Sequence, residues 1–264
     1  MRLLATLLLL GLGFAAQAEV KTQEIPYQAT DGTKLVGYFA YDDAQAGIRP
    51  GIIVVHEWWG LNDYAKRRAR DLAALGYAAL SIDMYGEGKV AEHPEQAQAF
   101  MQEALKNADA AKARFQAGLD LLKKQPQTDP AKIAAIGYCF GGKVVLDMAR
   151  QGLPLLGVAS FHGVLATATP AQPGAVSAKV LVEHGGADTL VPADSVAAFK
   201  QEMDAAKVDY RFVVQPNAKH SFTNPDADKH KGHGLDVGYD KTADQKSWAD
   251  LQAFLKDIFQ QKAD

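Results

Sequence analysis

The chain has 264 residues, 48% of them apolar and 22% charged, with one cysteine and a formal net charge of −3. That composition excludes a disordered chain, a collagen-like repeat and a disulfide-stapled miniprotein, and it offers no basic field to hold nucleic acid. A lone cysteine cannot close an intramolecular disulfide, so packing, dimerisation or thiol chemistry must account for it.

The first 18 residues read as a secretory leader. Met1-Arg2 precedes sixteen uncharged residues with a Leu7-Leu8-Leu9-Leu10 centre and an Ala16-Gln17-Ala18 end, which puts small residues at −3 and −1. A membrane-spanning anchor is the rival reading, but crossing a bilayer takes about 20 apolar residues and this run holds Gly11, Gly13 and Gln17. Cleavage after Ala18 leaves residues 19–264, an exported chain of 246 residues whose net charge becomes −4 once Arg2 is lost. No membrane anchor is expected after removal of the leader, and the expectation is a monomer.

Residues 20–27 and 34–41 are β-rich runs around Asp31-Gly32, which predicts an antiparallel hairpin. Residues 51–56 are continuously apolar, as in a strand covered on both faces. Asn62 or Asp63 then caps a helix with Tyr64, Ala65, Ala69, Leu72 and Ala73 at helical spacing, ending near Gly76. Residues 77–82 form the next strand. Helix-forming residues run from Pro94 to Lys124 as one helix or two, with Gly118 the weak point. Strands at 132–137, 155–161, 179–183 and 210–214 alternate with helices at 141–150 and 193–206, and residues 242–259 close the chain as a helix. Such alternation predicts an α/β fold with a mostly parallel sheet, helices on both faces and no lid-sized insertion.

Residues 133–142 read as strand, then Gly137-Tyr138-Cys139-Phe140-Gly141, then helix. The serine form of this pattern places its nucleophile on a strained strand-to-helix turn, where flanking glycines let strand and helix approach. The helix start favours a thiolate and offers the Phe140 N–H to an oxyanion. Taken alone, Cys139 reads first as a small buried residue at a strand end, and it is the flanking glycines and the strand–helix context that turn the reading to a nucleophile. The fold's order of nucleophile, acid and histidine is completed by Asp188, in the Gly-rich loop after the strand at 179–183, and by His220, after the strand at 210–214. All three lie beyond carboxyl ends of parallel strands, where open sheets place their ligands. Asp188 would fix the His220 tautomer and His220 would move the proton. Each of the two also has an ordinary reading, Asp188 as a turn or capping residue and His220 as a loop polar group.

With Gly137-Tyr138-Cys139-Phe140-Gly141-Gly142, Gly186-Ala187-Asp188, His220-Ser221-Phe222 and His56-Glu57-Trp58-Trp59-Gly60-Leu61-Asn62 in view, the sequence resembles the dienelactone hydrolase family of α/β-hydrolases. The resemblance implies a Cys139–His220–Asp188 triad, Glu57 as a further carboxylate near the thiol, and the Trp58 and Phe140 N–H groups as the oxyanion hole. Glu57 would restrain or accept the thiol proton, so that the thiolate forms mainly with substrate bound. Its ordinary alternative is a carboxylate paired with a basic side chain or with His56. Trp59, Tyr85 and Phe222 are expected to line the substrate cleft.

Position 60 is Gly60, so the zinc motif H-E-x-x-H is absent. His230 and His233 read as solvated loop residues, His93 as surface, and His162 and His184 are left open; no metal and no cofactor are expected. Dienelactone-cleaving members hold the substrate carboxylate with arginines, one after an Asp-x-Tyr segment and one two residues past His-Ser-Phe. Here Asp83-Met84-Tyr85 is followed by Gly86-Glu87-Gly88, and the second position is Asn224. The expected activity is hydrolysis of a small ester or lactone through a thioester, in an exported, periplasmic or secreted protein. The alternative is a non-catalytic binding or redox-sensing protein on the same fold.

Overall fold

A computed structural model describes residues 20–260; the leader read at 1–18 lies outside them. The strands are β1 (Val20–Gln28), β2 (Lys34–Asp42), β3 (Arg49–Val55), β4 (Ala78–Ile82), β5 (Thr128–Tyr138), β6 (Gly157–Phe161), β7 (Lys179–Gly185) and β8 (Tyr210–Gln215). They form one sheet in the order β1-β2-β4-β3-β5-β6-β7-β8. β1 and β2 are an antiparallel hairpin in register from Val20↔Asp42 to Gln28↔Lys34, and its turn is fixed by the Asp31 carboxylate accepting from the Thr33 N–H at 2.9 Å. β2 runs antiparallel to β4, and from β4 to β8 every pairing is parallel. This is the α/β-hydrolase architecture expected from the sequence.

The helices are α1 (Asp63–Ala74), α2 (Pro94–Leu105), α3 (Ala108–Lys123), α4 (Phe140–Arg150), α5 (Ala193–Ala205) and α6 (Lys241–Gln260). The unbroken apolar run of β3 serves two cores at once. Ile53 and Val55 join Phe115 and Leu119 of α3 and Val145 of α4, while Ile52 and Val54 join Leu72 of α1 and Leu255 of α6. All four β3 side chains are fully buried, each contributing about 1.5–3 kcal/mol relative to exposure.

The long helical stretch is two helices, and Gly118 is not the break. The first helix closes at Lys106, and Asn107 caps α3, its side-chain oxygen accepting from the N–H groups of Asp109 (2.9 Å) and Ala110 (3.3 Å). Gly118 instead lets α3 sit against the sheet, since a Cβ there would lie 2.6 Å from Ile82 Cγ2. β5 begins at Thr128, earlier than the apolar run suggests, because residues 128–129 already pair with Arg49 and Pro50 before a register shift. Residues Ala227–His233 form a 3-10 turn where the sequence reads as open loop.

Candidate active site

Cys139 stands between β5 and α4 with φ 53° and ψ −114°, the left-handed half of backbone space that costs a non-glycine residue roughly 1–3 kcal/mol. The strain is held by the Cys139 N–H donating to the Phe161 carbonyl at 3.0 Å and by close backbone packing on both sides. A Cβ on Gly137 would lie 2.0 Å from the Gly141 oxygen, and one on Gly141 would lie 2.3 Å from the Val55 oxygen. Only glycine fits either place. The elbow therefore presses α4 against β3 and β5 and leaves the half-buried thiol at the sheet's carboxyl edge.

Asp188 and His220 come from the loops after β7 and β8. His220 Nδ1 donates to Asp188 Oδ2 at 2.8 Å, and both side chains are buried. The other Asp188 oxygen accepts from the N–H groups of Leu190 (2.9 Å) and Val191 (3.2 Å), which orients the carboxylate. His220 and Cys139 both line one cavity. Burial works against a charged imidazole, but the Cys139 sulfur, by charge and hydrogen bond, and the Asp188 carboxylate push the His220 pKa up to about 10. The structure thus joins Asp188 to His220 by a hydrogen bond and places His220 and Cys139 on the wall of one cavity.

Glu57, just beyond β3, is only 2% exposed. It accepts from Ser221 Oγ at 3.0 Å on Oε1 and from Asn224 Nδ2 at 2.6 Å on Oε2. Burial is the main influence on this carboxyl and holds it above the usual carboxylate range, against those two hydrogen bonds. The partners are therefore neutral groups of the His220 loop, rather than a basic side chain or the His56 ring. His56 Nδ1 donates to the Glu57 backbone carbonyl at 2.5 Å, and His56 Nε2 accepts from the Met84 N–H at 3.2 Å. Burial keeps this ring neutral, as its two opposite hydrogen-bonding roles require.

Trp58 and Phe140 both line a cavity of about 240 Å³ that opens over Cys139 and His220. Among the described residues, neither of their N–H groups is spent in a backbone turn, as an oxyanion hole requires. The walls are apolar, with Met101 and Leu105 from α2, Val164 and Leu190 from loops, and Leu235 and Val237 after the 3-10 turn. Trp59 lines the cavity as expected. Tyr85 and Phe222 do not: the Tyr85 hydroxyl is turned to the Trp58 carbonyl (2.9 Å) and its ring packs on His56 and Phe140, while Phe222 is fully buried against His162. Both aromatics support the cavity from behind.

The remaining histidines sort by depth. His93 and His233 are exposed, but His230 is half-buried, lines the cavity and stacks on Trp59, which corrects its reading as a solvated loop residue. Among the described residues no group of three or more His, Cys, Asp or Glu could hold a metal ion. His162, fully buried behind His220 with ring centroids 5.2 Å apart, shares a hydrogen bond of 2.8 Å with Thr223 Oγ1, which in turn meets the Tyr64 hydroxyl at 2.5 Å. Arg68, 3% exposed, donates to the Thr223 carbonyl (2.8 Å) and to Asp244 (2.5 Å) and lies over the rings of Tyr64, Tyr138 and Trp248. This network grips the segment that carries His220, Ser221 and Asn224. Buried polar residues within apolar periodicity were its only sequence signal. Lys143 reaches the cavity edge, but its ammonium is bound by Asp147 (2.9 Å) and the Ala166 carbonyl (2.8 Å).

Residues 35–259 match the family model described as the dienelactone hydrolase family. A crystal structure titled as a dienelactone hydrolase-like promiscuous phosphotriesterase from metagenomic libraries is 37% identical, covers 90% of this chain and 98% of its own, and superimposes with a TM-score of 0.84. The usf protein of Aquifex pyrophilus is 29% identical over 86% of this chain and 95% of its own length. A Yersinia pestis protein provisionally named carboxymethylenebutenolidase is 28% identical over 73% of this chain and 76% of its own length.

Proposed function

The chain belongs to the dienelactone hydrolase family, and from that premise we propose that it hydrolyses small, uncharged esters or lactones at Cys139 through a thioester intermediate. The observation that carries this reading is the buried Asp188–His220 hydrogen bond of 2.8 Å beside a cavity that Cys139 also lines. Cys139 Sγ gives its proton to His220 and attacks the carbonyl carbon, and the Trp58 and Phe140 N–H groups receive the oxyanion. As the C–O bond breaks, His220 gives its proton to the leaving alkoxide. Water then attacks the thioester, His220 takes the water proton, and the carboxylic acid product leaves as the thiolate is restored.

Substrate charge follows from the lining. Position 224, where the resemblance places a carboxylate-binding arginine, carries an amide already bonded to Glu57, and Lys143 is committed to Asp147. An apolar cavity without an available cation favours a neutral acyl group. The purified protein should hydrolyse p-nitrophenyl butyrate, and Cys139→Ala should reduce turnover to background; undiminished turnover in that variant would overturn the assignment.

A second reading, cleavage of phosphotriesters by the same thiol, is favoured by the 37% identical relative described as a promiscuous phosphotriesterase. Release of p-nitrophenol from paraoxon, lost in Cys139→Ala, is its test. Export with removal of residues 1–18 rests on the leader pattern alone. The N-terminal residue of protein recovered outside the cytoplasm should then be Glu19.

A further inference from the structure

His56 takes part in no step of the reaction above, yet it is fully buried and lies behind the cavity rather than on its wall. Its ring stacks on Phe140, with centroids 5.6 Å apart and planes 25° apart, and meets Tyr85 edge-on at 4.7 Å. Its Nδ1–H donates to the Glu57 carbonyl at 2.5 Å, and the same oxygen accepts from the Gly60 N–H at 3.1 Å. That carbonyl and the Trp58 N–H belong to one planar peptide, so donors fixed on the oxygen fix the direction in which the N–H points. They also polarise the amide, which makes its N–H the stronger donor. The tautomer is set by the partners: the Glu57 carbonyl can only accept, and the Met84 N–H, 3.2 Å from Nε2, can only donate. The next peptide is held as well, since the Trp58 carbonyl accepts from the Tyr85 hydroxyl at 2.9 Å. Met84 and Tyr85 belong to the turn after β4, which the Asp83 carboxylate ties by accepting from the N–H groups of Tyr85 (2.8 Å), Gly86 (2.9 Å) and Gly88 (2.8 Å).

We propose that His56 is a positioning residue for the oxyanion hole: it braces the Glu57–Trp58 peptide through the carbonyl, aiming and strengthening the Trp58 N–H, while its ring seats Phe140, the other donor. This rests on the acyl-transfer reading above. A neutral substrate carbonyl draws little on the hole. When the Cys139 Sγ–carbon bond forms, the carbonyl π pair moves onto oxygen, and the new charge falls on the Trp58 and Phe140 N–H groups. The brace therefore acts in the transition state, and its loss falls on kcat rather than on KM.

His56→Phe keeps a buried ring without the donor, and His56→Asn returns an amide N–H near the place of Nδ1. With p-nitrophenyl butyrate, His56→Phe should lower kcat on the order of 10- to 100-fold, short of the roughly 10²–10³ that deletion of a whole oxyanion donor costs, with KM little changed. His56→Asn should recover most of that loss. Iodoacetamide is the control: displacement of iodide from a saturated carbon makes no oxyanion, and Cys139 is the only cysteine, so His56→Phe should be alkylated at the wild-type rate. Alkylation that slows in step with hydrolysis overturns the proposal, as does wild-type kcat in a folded His56→Phe, or a His56→Asn no better than His56→Phe. The wild type gives a reading that depends on no variant. A trifluoromethyl ketone adds to Cys139 as a hemithioketal oxyanion, the thiol proton passing to His220, and the His56 Nδ1–H proton resonance should then move downfield as the shared peptide polarises. An unmoved resonance overturns the proposal. Hydrolysis lost in Cys139→Ala but kept in His56→Phe removes the brace and leaves the triad, whereas full turnover in Cys139→Ala removes the triad itself.

Discussion

The His230 imidazole lies on the Trp59 indole, with ring centroids 3.9 Å apart and planes within 17°. The contact joins the loop after β3 to the 3-10 turn, and both rings line the cavity. One wall of the cavity is thus a stack of two rings from distant parts of the chain.

Removing half of that stack should widen the cavity. His230→Ala is expected to raise kcat/KM for longer acyl chains relative to acetyl by about tenfold, within the roughly 1–3 kcal/mol that one methylene is worth in an apolar pocket. A p-nitrophenyl ester series from acetyl to octanoyl measures it; an unchanged chain-length profile would show that the stack does not bound the acyl site.

Asp188→Asn keeps the shape but changes the tautomer that His220 is held in. The expected loss is about 10⁴-fold in kcat with little change in KM. Steady-state kinetics on one ester separates this from a binding defect.

Gly137→Ala tests the elbow's packing rather than its chemistry. The added Cβ would meet the Gly141 carbonyl at 2.0 Å, a clash with backbone that no side-chain rotation relieves. Destabilisation of about 3 kcal/mol or more is expected, read from urea unfolding.

Glu183, buried in β7, accepts from Gln215 Nε2 at 2.8 Å, and burial pushes its pKa up to about 7. The folded state therefore holds a proton that the unfolded chain releases near its ordinary, lower value. Stability from this group is fully present below that ordinary value, declines as pH rises, and is lost above about 7. Glu183→Gln should remove the penalty, stabilising the protein by on the order of 2 kcal/mol at pH above 7 and by little in mild acid. Thermal unfolding across pH checks the sign.

The mostly parallel sheet and the two-sided burial of β3 were legible because strand and helix periods are local and apolar runs mark double coverage. The positions of Cys139, Asp188 and His220 were legible for a related reason: strand ends in a parallel sheet all face one edge. The polar partners were not. Ser221 and Asn224 bond Glu57 across most of the chain, and no spacing rule connects them. Tyr85 and Phe222 read as cleft aromatics because residue type does not reveal which way a loop side chain turns; one hydroxyl bond to Trp58 decides it for Tyr85. His230 was misread because the 3-10 turn that lifts it onto Trp59 has no strong apolar signature.

The hydrogen bonds of Glu57 span 164 and 167 residues. Contacts of that range close late, after the loop-closure entropy of most of the chain has been met. On the ribosome, the thiol of Cys139 emerges well before Asp188, and His220 only after β8. During that interval the chain presents the thiol without the Asp188–His220 pair. A chain shortened before residue 220 therefore lacks the imidazole that the Asp188 carboxylate is built to hold.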